Sequence, residues 1–272
     1  MIISSAFKVI RTIRHKKAWA CCDVIVQAPA PSRPIKRGIA GVGLLAHILV
    51  AKFADHQPLY RQAVIYECAG VELDRSMARW VGTCLNLLQP LMEAIHRLVF
   101  DTAKIHADDI PTPMLALGNG KTKTGILWTY VRDDLPFGSA AQPAAWYAYT
   151  PNQQGVHPQG HLAGFVGVLQ GDAYIGFNAV YDNGSVVEAA CWAHARRKFH
   201  DLHAVRPSAT TEEAFRRIGE RYVIEVQIRG RPPDERRQIR QAKARPLLDA
   251  LGAWLRDKLL MLLRKSDTAA AI

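Results

Sequence analysis

Three aspartates carry the chemistry that this sequence could perform. Asp108 and Asp109 are adjacent within the largely apolar stretch KIHADDIPTPML, and Asp172 lies further along the chain in LQGDAYIGF. A buried carboxylate is unfavourable unless it is paired or bound to a metal ion. Carboxylate oxygens suit Mg²⁺, and a site that holds two such ions can cleave a phosphodiester bond. The three residues are therefore candidates for a metal-dependent nuclease site.

The strand pattern around these aspartates limits which of them can act together. Successive side chains of a strand point to opposite faces, so Asp108 and Asp109 are not expected to address one site. One of them should line the functional edge of the sheet, and the other should face a loop or solvent. Alternatively, these aspartates and Asp172 are turn or strand-end carboxylates without a metal. Spacing alone leaves both interpretations open.

The elements around the aspartates predict a mixed α/β domain over residues 101–203. The patterns KIHADDIPTPML, KTGILWTYVRD and AAWYAYTP are separated by turn signals and indicate a three-strand antiparallel meander. A short helix around HPQGHLAGF, the strands GVLQGDAYIGF and VVEAACW, and the helix AHARRKFHDLHA follow. This order predicts right-handed crossovers onto the same sheet and a ribonuclease-H-like α/β fold. In such a sheet the first and fourth strands are neighbours, so an acid on each would converge.

The two regions before this domain have different sequence patterns. Residues 1–36 predict a short β segment and a proline-rich linker, and residues 37–100 predict helices. Within the helical region, Gly70 should end one helix, and Asp74 or Ser76 should cap the next. This arrangement fits a helix-turn-helix DNA-binding region or an ordinary helical bundle about equally well.

Composition narrows the class of protein. The chain has 272 residues with a globular balance of 49% hydrophobic and 22% charged residues, and its formal net charge is +11. A basic excess of this size suggests a nucleic-acid partner, although a basic protein without such a partner has the same composition. Five cysteines without framework spacing favour a reduced, cytoplasmic protein. No membrane partner is expected, because no apolar run approaches the ~18 residues of a span.

Several collinear segments resemble the insertion sequence 66 family of bacterial transposases. The matching segments are ILVAKFADHQPLYRQ, GVELDRS, IHADDIPTPML, GKTKTGILWTYVRDD, LQGDAYIGFNAVY and EAACWAHARRKFHDLHA. The most specific element is CWAHARRKF, from Cys191 to Phe199. The resemblance covers nearly the whole chain. It implies a ribonuclease-H-like enzyme with an Asp-Asp-Glu metal triad that cuts and joins DNA ends.

The resemblance assigns two acids of this triad. The family's first acid follows His-Ala, which corresponds to Asp108, and its second lies in a Gln-x-Asp-x-Tyr segment, which corresponds to Asp172. Both would be catalytic residues and Mg²⁺ ligands, whereas Asp109 matches a neighbouring acid outside the triad. The family's glutamate lies in an Asp-Asn-Asn-x-x-Glu-Arg segment that this sequence lacks. We therefore leave the third position unassigned and expect a form truncated at both ends, inactive as an isolated chain.

The resemblance also implies a small zinc-binding module near the N-terminus, built from two cysteine pairs. A structural zinc site needs four ligands, and only the adjacent pair Cys21 and Cys22 is present here. We therefore interpret residues 1–36 as a remnant of that module, with free thiols rather than bound zinc.

The helix after the fifth predicted strand is a candidate DNA-binding element. Helical spacing separates an apolar face that contains Trp192 and Phe199 from a charged face. The residues expected to flank the acids and hold DNA phosphates are His194, Arg196, Arg197 and Lys198. Such contacts add affinity without sequence information. The alternative is a core-facing stripe with a solvated charged side.

Residues 204–272 predict basic helices, which the resemblance interprets as an insertion before the glutamate segment. Its glutamates have no motif around them, and they are Glu212, Glu213, Glu220 and Glu225. Arg236, Arg237 and Arg240 should add salt-sensitive affinity for DNA.

The leading hypothesis is a Mg²⁺-dependent transposase whose partner is DNA, at the element ends and at the target. Further partners could be other copies of the protein or companion proteins of the element. The rival hypothesis is a non-catalytic DNA-binding remnant. A third, a basic helical adaptor that binds no DNA, requires the strand meander to be misread.

Overall fold

The chain forms two compact units, Met1–Glu93 and Ala94–Ile272. A computed structural model describes residues 7–18, 21–22, 24–73, 76–115, 118, 120–182, 184–263 and 266–272. The division falls inside helix α4 (Gln89–Phe100), so the helical region predicted over residues 37–100 contributes its last residues to the second unit. No helix in the described part of the chain is long and apolar enough to cross a membrane.

The first unit contains a small hairpin and a helical core. Strands β1 (Lys16–Ala18) and β2 (Ile25–Gln27) pair antiparallel. The helices are α1 (Val42–Phe53), α2 (Leu59–Cys68) and α3 (Ser76–Leu87). Their buried residues include Leu45, Ile48, Tyr66, Met77 and Trp80. The β segment and the helices lie where the sequence patterns predict them.

The connection between α2 and α3 agrees with the predicted stop signal. Gly70 follows the end of α2 with a φ of 78°, a left-handed conformation that glycine adopts without steric cost. Helix α3 begins at Ser76. Ser76, one of the two predicted caps, is thus the first helical residue rather than the residue before it, and Asp74, the other predicted cap, lies outside the described residues.

A five-stranded mixed sheet organises the second unit. Its strands are β3 (Lys104–Leu115), β4 (Thr122–Arg132), β5 (Ala144–Thr150), β6 (Gly167–Gly171) and β7 (Val186–Ala190). The strand order is β5-β4-β3-β6-β7. The first three strands pair antiparallel, whereas β6 is parallel to β3 and to β7. The predicted meander is present, so the interpretation as a helical adaptor is wrong.

Alternation along β4 explains why one face of this sheet is the core. Ile126, Trp128 and Tyr130 are buried, whereas Thr129 and Val131 lie half-buried on the opposite face. The same core contains Val99, Ile105, Leu162, Phe165, Leu169, Phe177 and Val180. Helix α4 reaches it through Val99, and α5 (Val156–His161) crosses between β5 and β6.

The sheet differs from the prediction at the end of β6. The strand was expected to run through GVLQGDAYIGF, but it ends at Gly171, so Asp172 is the first residue beyond it. Ala173 has a φ of 31°, which turns the chain out of the sheet. A 3₁₀ turn and helix α6 (Asn178–Tyr181) follow instead of strand. Burial of Phe177 in the core favours this turn.

Helices complete the second unit after β7. They are α7 (Trp192–Val205), α8 (Ala209–Ile228), α9 (Pro233–Ile239), a π-helical turn (Arg240–Ala244), α10 (Arg245–Met261) and α11 (Asp267–Ala271). Helix α8 begins with a capping box in which Ser208 and Thr211 exchange hydrogen bonds. Phe199 of α7 packs with Ile218 of α8 and Leu251 of α10 in a separate apolar cluster.

Candidate functional site

Strands β3 and β6 bring the predicted acids together. They pair in parallel, with Lys104 opposite Val168 and His106 opposite Gln170. If this register is continued to Asp108, the residue level with it is Asp172, just beyond β6. The side chain of Asp108, within β3, therefore meets that of Asp172 just beyond the carboxyl end of β6, as the pairing of a first and a fourth strand requires.

Three aspartates, not two, form the cluster. One carboxylate oxygen from each of Asp108, Asp109 and Asp172 lies within 4.8 Å of the others. The expectation that Asp108 and Asp109 cannot share a site does not match this geometry. Asp172 lies outside the strand, where strict alternation no longer applies. The Asp108 carboxylate also turns back along the chain, since its Oδ1 accepts a 3.0 Å hydrogen bond from the Asp109 amide.

The negative charges of the aspartate cluster are not balanced by neighbouring cationic side chains of the described residues. Within the described residues, no lysine, arginine or histidine forms an ion pair with any of the three carboxylates. The Oδ1 atom of half-buried Asp172 is buried without a hydrogen-bond partner in this part of the chain. A buried, unpartnered carboxylate oxygen is unfavourable. A hard divalent cation would satisfy it, so these oxygens fit the metal that the family resemblance implies.

Asp109 faces the apolar core rather than the side of Asp108. It lies on β3 in alternation with the buried residues Ile105 and Ala107. Burial raises the pKa of Asp109, the nearby Asp172 carboxylate raises it further, and a hydrogen bond from Gln153 opposes this shift. The Gln153 Nε2 atom donates that bond to Asp109 Oδ2 over 2.6 Å.

Asp108 lies at a small pocket on the other face of the sheet. The pocket has a volume of about 180 Å³, and its lining includes Asp108, Thr129, Gln170, Cys191 and His194. Thr129 Oγ1 and His194 Nδ1 are buried atoms without hydrogen-bond partners among the described residues. Unsatisfied polar atoms of this kind are rare in folded proteins. They give the pocket unused hydrogen-bonding capacity beside the acid.

The four predicted DNA-binding residues of α7 differ in their surroundings. His194 reaches the pocket beside Asp108. Arg197 and Lys198 are exposed, and the Arg197 Nε atom lies 3.8 Å from Oδ2 of Asp201. The guanidinium of exposed Arg196 lies 5.8 Å from the centre of the Phe215 ring. Only His194 of these four therefore lies next to the acids.

Several arginines of the basic helices are occupied by internal contacts. Arg240 donates to both carboxylate oxygens of Glu225, at 2.9 and 2.7 Å. Arg236 donates to the carbonyl oxygen of Pro136. Arg237, the third arginine predicted to bind DNA in this region, lines an open surface pocket beside Asp234. The pairing with Glu225 reduces the charge and the hydrogen-bond donors that Arg240 can offer to a phosphate. The sequence does not indicate this pairing.

The glutamates of α8 are also engaged. Glu213 accepts hydrogen bonds from Arg216 and Arg217, which lower the pKa of Glu213 to about 2. Glu220 pairs with Arg216. None of the α8 glutamates belongs to the aspartate cluster found within the described residues. They therefore offer no third acid at that cluster.

The N-terminal cysteines stand apart from these features. Cys21 and Cys22 are exposed free thiols. The described part of the chain contains one group of acidic, histidine or cysteine side chains close enough to share a metal ion, and that is the aspartate cluster.

Sequence reasoning did not identify Gln153 or Thr129 as part of the site. Gln153 is 44 residues from its partner Asp109 and lies in a loop with no recognisable motif. The register of the β3–β4 pairing in the meander places Thr129 opposite Asp108. The sequence of the turn between those strands does not determine this register, so the position of Thr129 could not be inferred from the sequence.

Comparison with known proteins identifies the family of this chain. Residues 37–272 match the family described as "Transposase IS66 family". The chain is 39% identical to the uncharacterized protein y4hP of Sinorhizobium fredii (strain NBRC 101917 / NGR234), with 99% of this chain and 52% of that protein covered. It is 37% identical to the uncharacterized protein y4qI of the same strain, with 100% and 52% covered. The chain spans about half the length of the curated relatives it matches.

Proposed function

Because the chain belongs to the IS66 family of transposases, we propose that residues 101–203 are a ribonuclease-H-like core that acts on DNA during transposition. Three antiparallel strands followed by two parallel ones, with one acid within the first strand and one just after the fourth, support this assignment. A ribonuclease-H-like sheet has the same order. The observation that carries the proposal is the convergence of Asp108 and Asp172 in a cluster that has no cationic partner among the described residues.

We propose that Asp108 and Asp172 hold a divalent cation, with Mg²⁺ as the expected ion. Such an ion activates the attacking oxygen and stabilises the leaving one in phosphodiester cleavage. The task of the two carboxylates is to supply hard oxygen ligands from fixed points of the sheet. The buried Oδ1 of Asp172, which has no hydrogen-bond partner in the part of the chain that the structure describes, supports this role. The rigid pairing of β3 with β6 would keep the ligands in register.

The DNA would lie across the face that carries Asp108. His194 is the candidate contact closest to the acids, because it shares the pocket with Asp108 and its Nδ1 has no hydrogen-bond partner among the described residues. Exposed Arg197 and Lys198 on the same helix could bind phosphates further along the DNA strand, and exposed Arg196 could bind another phosphate. We also propose that the helical region 37–100 contributes to DNA binding, as a helix-turn-helix would.

The complete activity of the family is cleavage of DNA and joining of its ends. We propose that this chain carries two of the three acids of that activity, Asp108 and Asp172. The Asp-Asn-Asn-x-x-Glu-Arg segment expected for the glutamate does not occur in its 272 residues. Since the relatives are about twice as long, activity and partners of a complete protein remain proposals for this chain.

A metal-directed cleavage experiment tests this function without requiring turnover. The full chain is bound to duplex DNA and loaded with Fe²⁺, and ascorbate with hydrogen peroxide is added to generate hydroxyl radicals at the metal. We expect cuts in the polypeptide near residues 108 and 172 and cuts in the bound DNA. The matched variants are Asp172→Asn at the site and Asp182→Asn as the control, since Asp182 is an exposed aspartate in the same unit.

Loss of both sets of cuts in Asp172→Asn, with the Asp182→Asn pattern unchanged, supports the proposed site. Polypeptide cuts without DNA cuts would mean that the metal site does not face bound DNA. Cuts that are equal in all three proteins would overturn the assignment of Asp172.

A further inference from the structure

Asp109 has a position that the family assignment does not explain. The resemblance matches it to an acid outside the triad, and strand alternation turns it away from Asp108. Nevertheless, one of its oxygens lies within 4.8 Å of ligand atoms of both Asp108 and Asp172. Asp172 lies just beyond the end of β6, where side chains from both faces of the longer strand β3 can approach it.

A single ion could be shared by all three carboxylates. Oxygens bound to one Mg²⁺ at about 2.1 Å lie roughly 3 to 4 Å apart in octahedral geometry. The cluster, with its atoms within 4.8 Å, requires only a small contraction to reach that spacing.

The surroundings of Asp109 hold its carboxylate in place. Gln153 donates to Oδ2 of Asp109 at 2.6 Å, and the carbonyl oxygen of Gln153 accepts a hydrogen bond from the Tyr174 hydroxyl. Tyr174 packs edge-on against Phe177, with 5.6 Å between ring centres. Because Tyr174 is two residues after Asp172, it joins the loop after β5 to the segment that carries the second acid.

An ordinary structural role does not explain this arrangement. A carboxylate held only for stability would be expected to pair with a cation or to have its negative neighbours kept away. Asp109 instead lies next to two further carboxylates, in a protein with a net charge of +11 that has many basic side chains to offer. None of the ion pairs within the described residues involves the cluster.

We infer that Asp109 is a third protein ligand of the divalent cation held by Asp108 and Asp172, and that Gln153 is its positioning residue. This inference rests on the proposed function, because it requires the metal site formed by the other two acids. It assigns a role to the acid that the family resemblance leaves outside the triad. The site would then have three carboxylates from this chain alone.

Mn²⁺ binding to the full chain, measured by titration calorimetry and by electron paramagnetic resonance of the free ion, tests the inference. Removal of a group that orients a ligand costs about 10 to 100-fold in metal affinity in well-studied sites, and removal of the ligand carboxylate itself should cost more than loss of its orienting partner. We expect Asp109→Asn to lose at least tenfold in affinity. We expect Gln153→Ala to lose a measurable but smaller amount, and the control Asp182→Asn to bind like the wild type.

The outcomes separate the inference from the function on which it rests. If Asp108→Asn and Asp172→Asn abolish binding while Asp109→Asn binds like the control, Asp109 is not a ligand but the proposed site stands. If none of the three variants changes Mn²⁺ affinity, the proposed site itself fails. Circular dichroism and urea unfolding check that each variant is folded. If Asp109→Asn does not fold, the Mn²⁺ affinity of Gln153→Ala tests the inference instead. Weaker binding by that variant supports the inference, and unchanged affinity overturns it.

Discussion

The indole Nε1 of Trp128 donates a 2.8 Å hydrogen bond to Thr150 Oγ1, which donates in turn to the carbonyl oxygen of Asn152 at 2.7 Å. Trp128 is fully buried in the sheet core, and Thr150 is the last residue of β5. The pair therefore fixes the start of the loop that contains Gln153. Gln153 of this loop donates a hydrogen bond to Asp109. A series of hydrogen bonds and backbone therefore links the core of the sheet to the acidic cluster.

We expect Thr150→Val to destabilise the second unit by about 1–3 kcal/mol, because the buried indole N–H would lose its acceptor. Valine has nearly the shape of threonine, so little packing is lost. Urea unfolding followed by tryptophan fluorescence measures the change. Thr124→Val, at an exposed position of β4, is the matched control and should stay within about 0.5 kcal/mol of the wild type. Equal stability of the two variants would contradict the role of this hydrogen bond.

The salt dependence of DNA binding tests the contribution of α7. Each phosphate contact that is lost should reduce the slope of log affinity against log salt by about 0.9. We therefore expect the double variant Arg197→Ala and Lys198→Ala to reduce the slope by about 2, measured by fluorescence anisotropy. The control is Arg245→Ala, whose side chain is paired with Asp249 at 3.1 Å. A flat salt response of the wild type, or an equal effect of the control, would count against α7 as a DNA-binding helix.

The stability of the second unit should fall in mild acid because of His161. Burial lowers the pKa of His161 to about 4, and His157 and His96 contribute to this shift. The folded state keeps the ring neutral, whereas the unfolded chain takes up a proton near pH 6.5. Stability from this residue is therefore complete above pH 6.5 and is lost as the pH falls towards about 4.

This loss should be on the order of 1–3 kcal/mol, since one pKa unit corresponds to about 1.4 kcal/mol and partial exposure reduces the effect. Urea unfolding at several pH values compares the wild type with His161→Asn and with His200→Asn, an exposed control. His161→Asn should show a shallower decline between pH 6.5 and 4. Parallel curves for all three proteins would show that His161 is not responsible.

Nicking of supercoiled DNA in Mg²⁺ or Mn²⁺ tests whether the described acids form a complete catalytic site. We expect the 272-residue chain to nick weakly or not at all. The candidate glutamates on α8 are held by arginines, Glu213 by Arg217 and Glu225 by Arg240. Asp108→Ala is the control for contaminating nucleases. Strong nicking by the wild type that disappears in Asp108→Ala would mean that the acids of this chain are sufficient.

The sheet could be predicted from the sequence because its cause is local. Alternation around Trp128 and the turn signals between strands indicate a meander, and the convergence of Asp108 with Asp172 follows once β3 and β6 are taken as neighbours. The end of β6 was not predictable in this way. The residues after Gly171 alternate like a strand, and the turn at Ala173 is stabilised by tertiary burial of Phe177.

Contacts between distant residues were the other part that sequence could not supply. Gln153 and Asp109 meet only because the loop after β5 returns to the middle of β3. The pairing of Arg240 with Glu225 depends on how the π-helical turn packs against α8, and it removes an arginine from the pool available for DNA. Charge counts along the sequence treat such a residue as free.

The most direct measurement of the central claim is anomalous X-ray scattering from crystals of the full chain soaked in Mn²⁺. We predict an anomalous peak within about 2.5 Å of carboxylate oxygens of both Asp108 and Asp172, and its absence from crystals of Asp172→Asn. A peak bound elsewhere, or no peak between these two residues at millimolar Mn²⁺, would contradict the assignment of this cluster as the metal site.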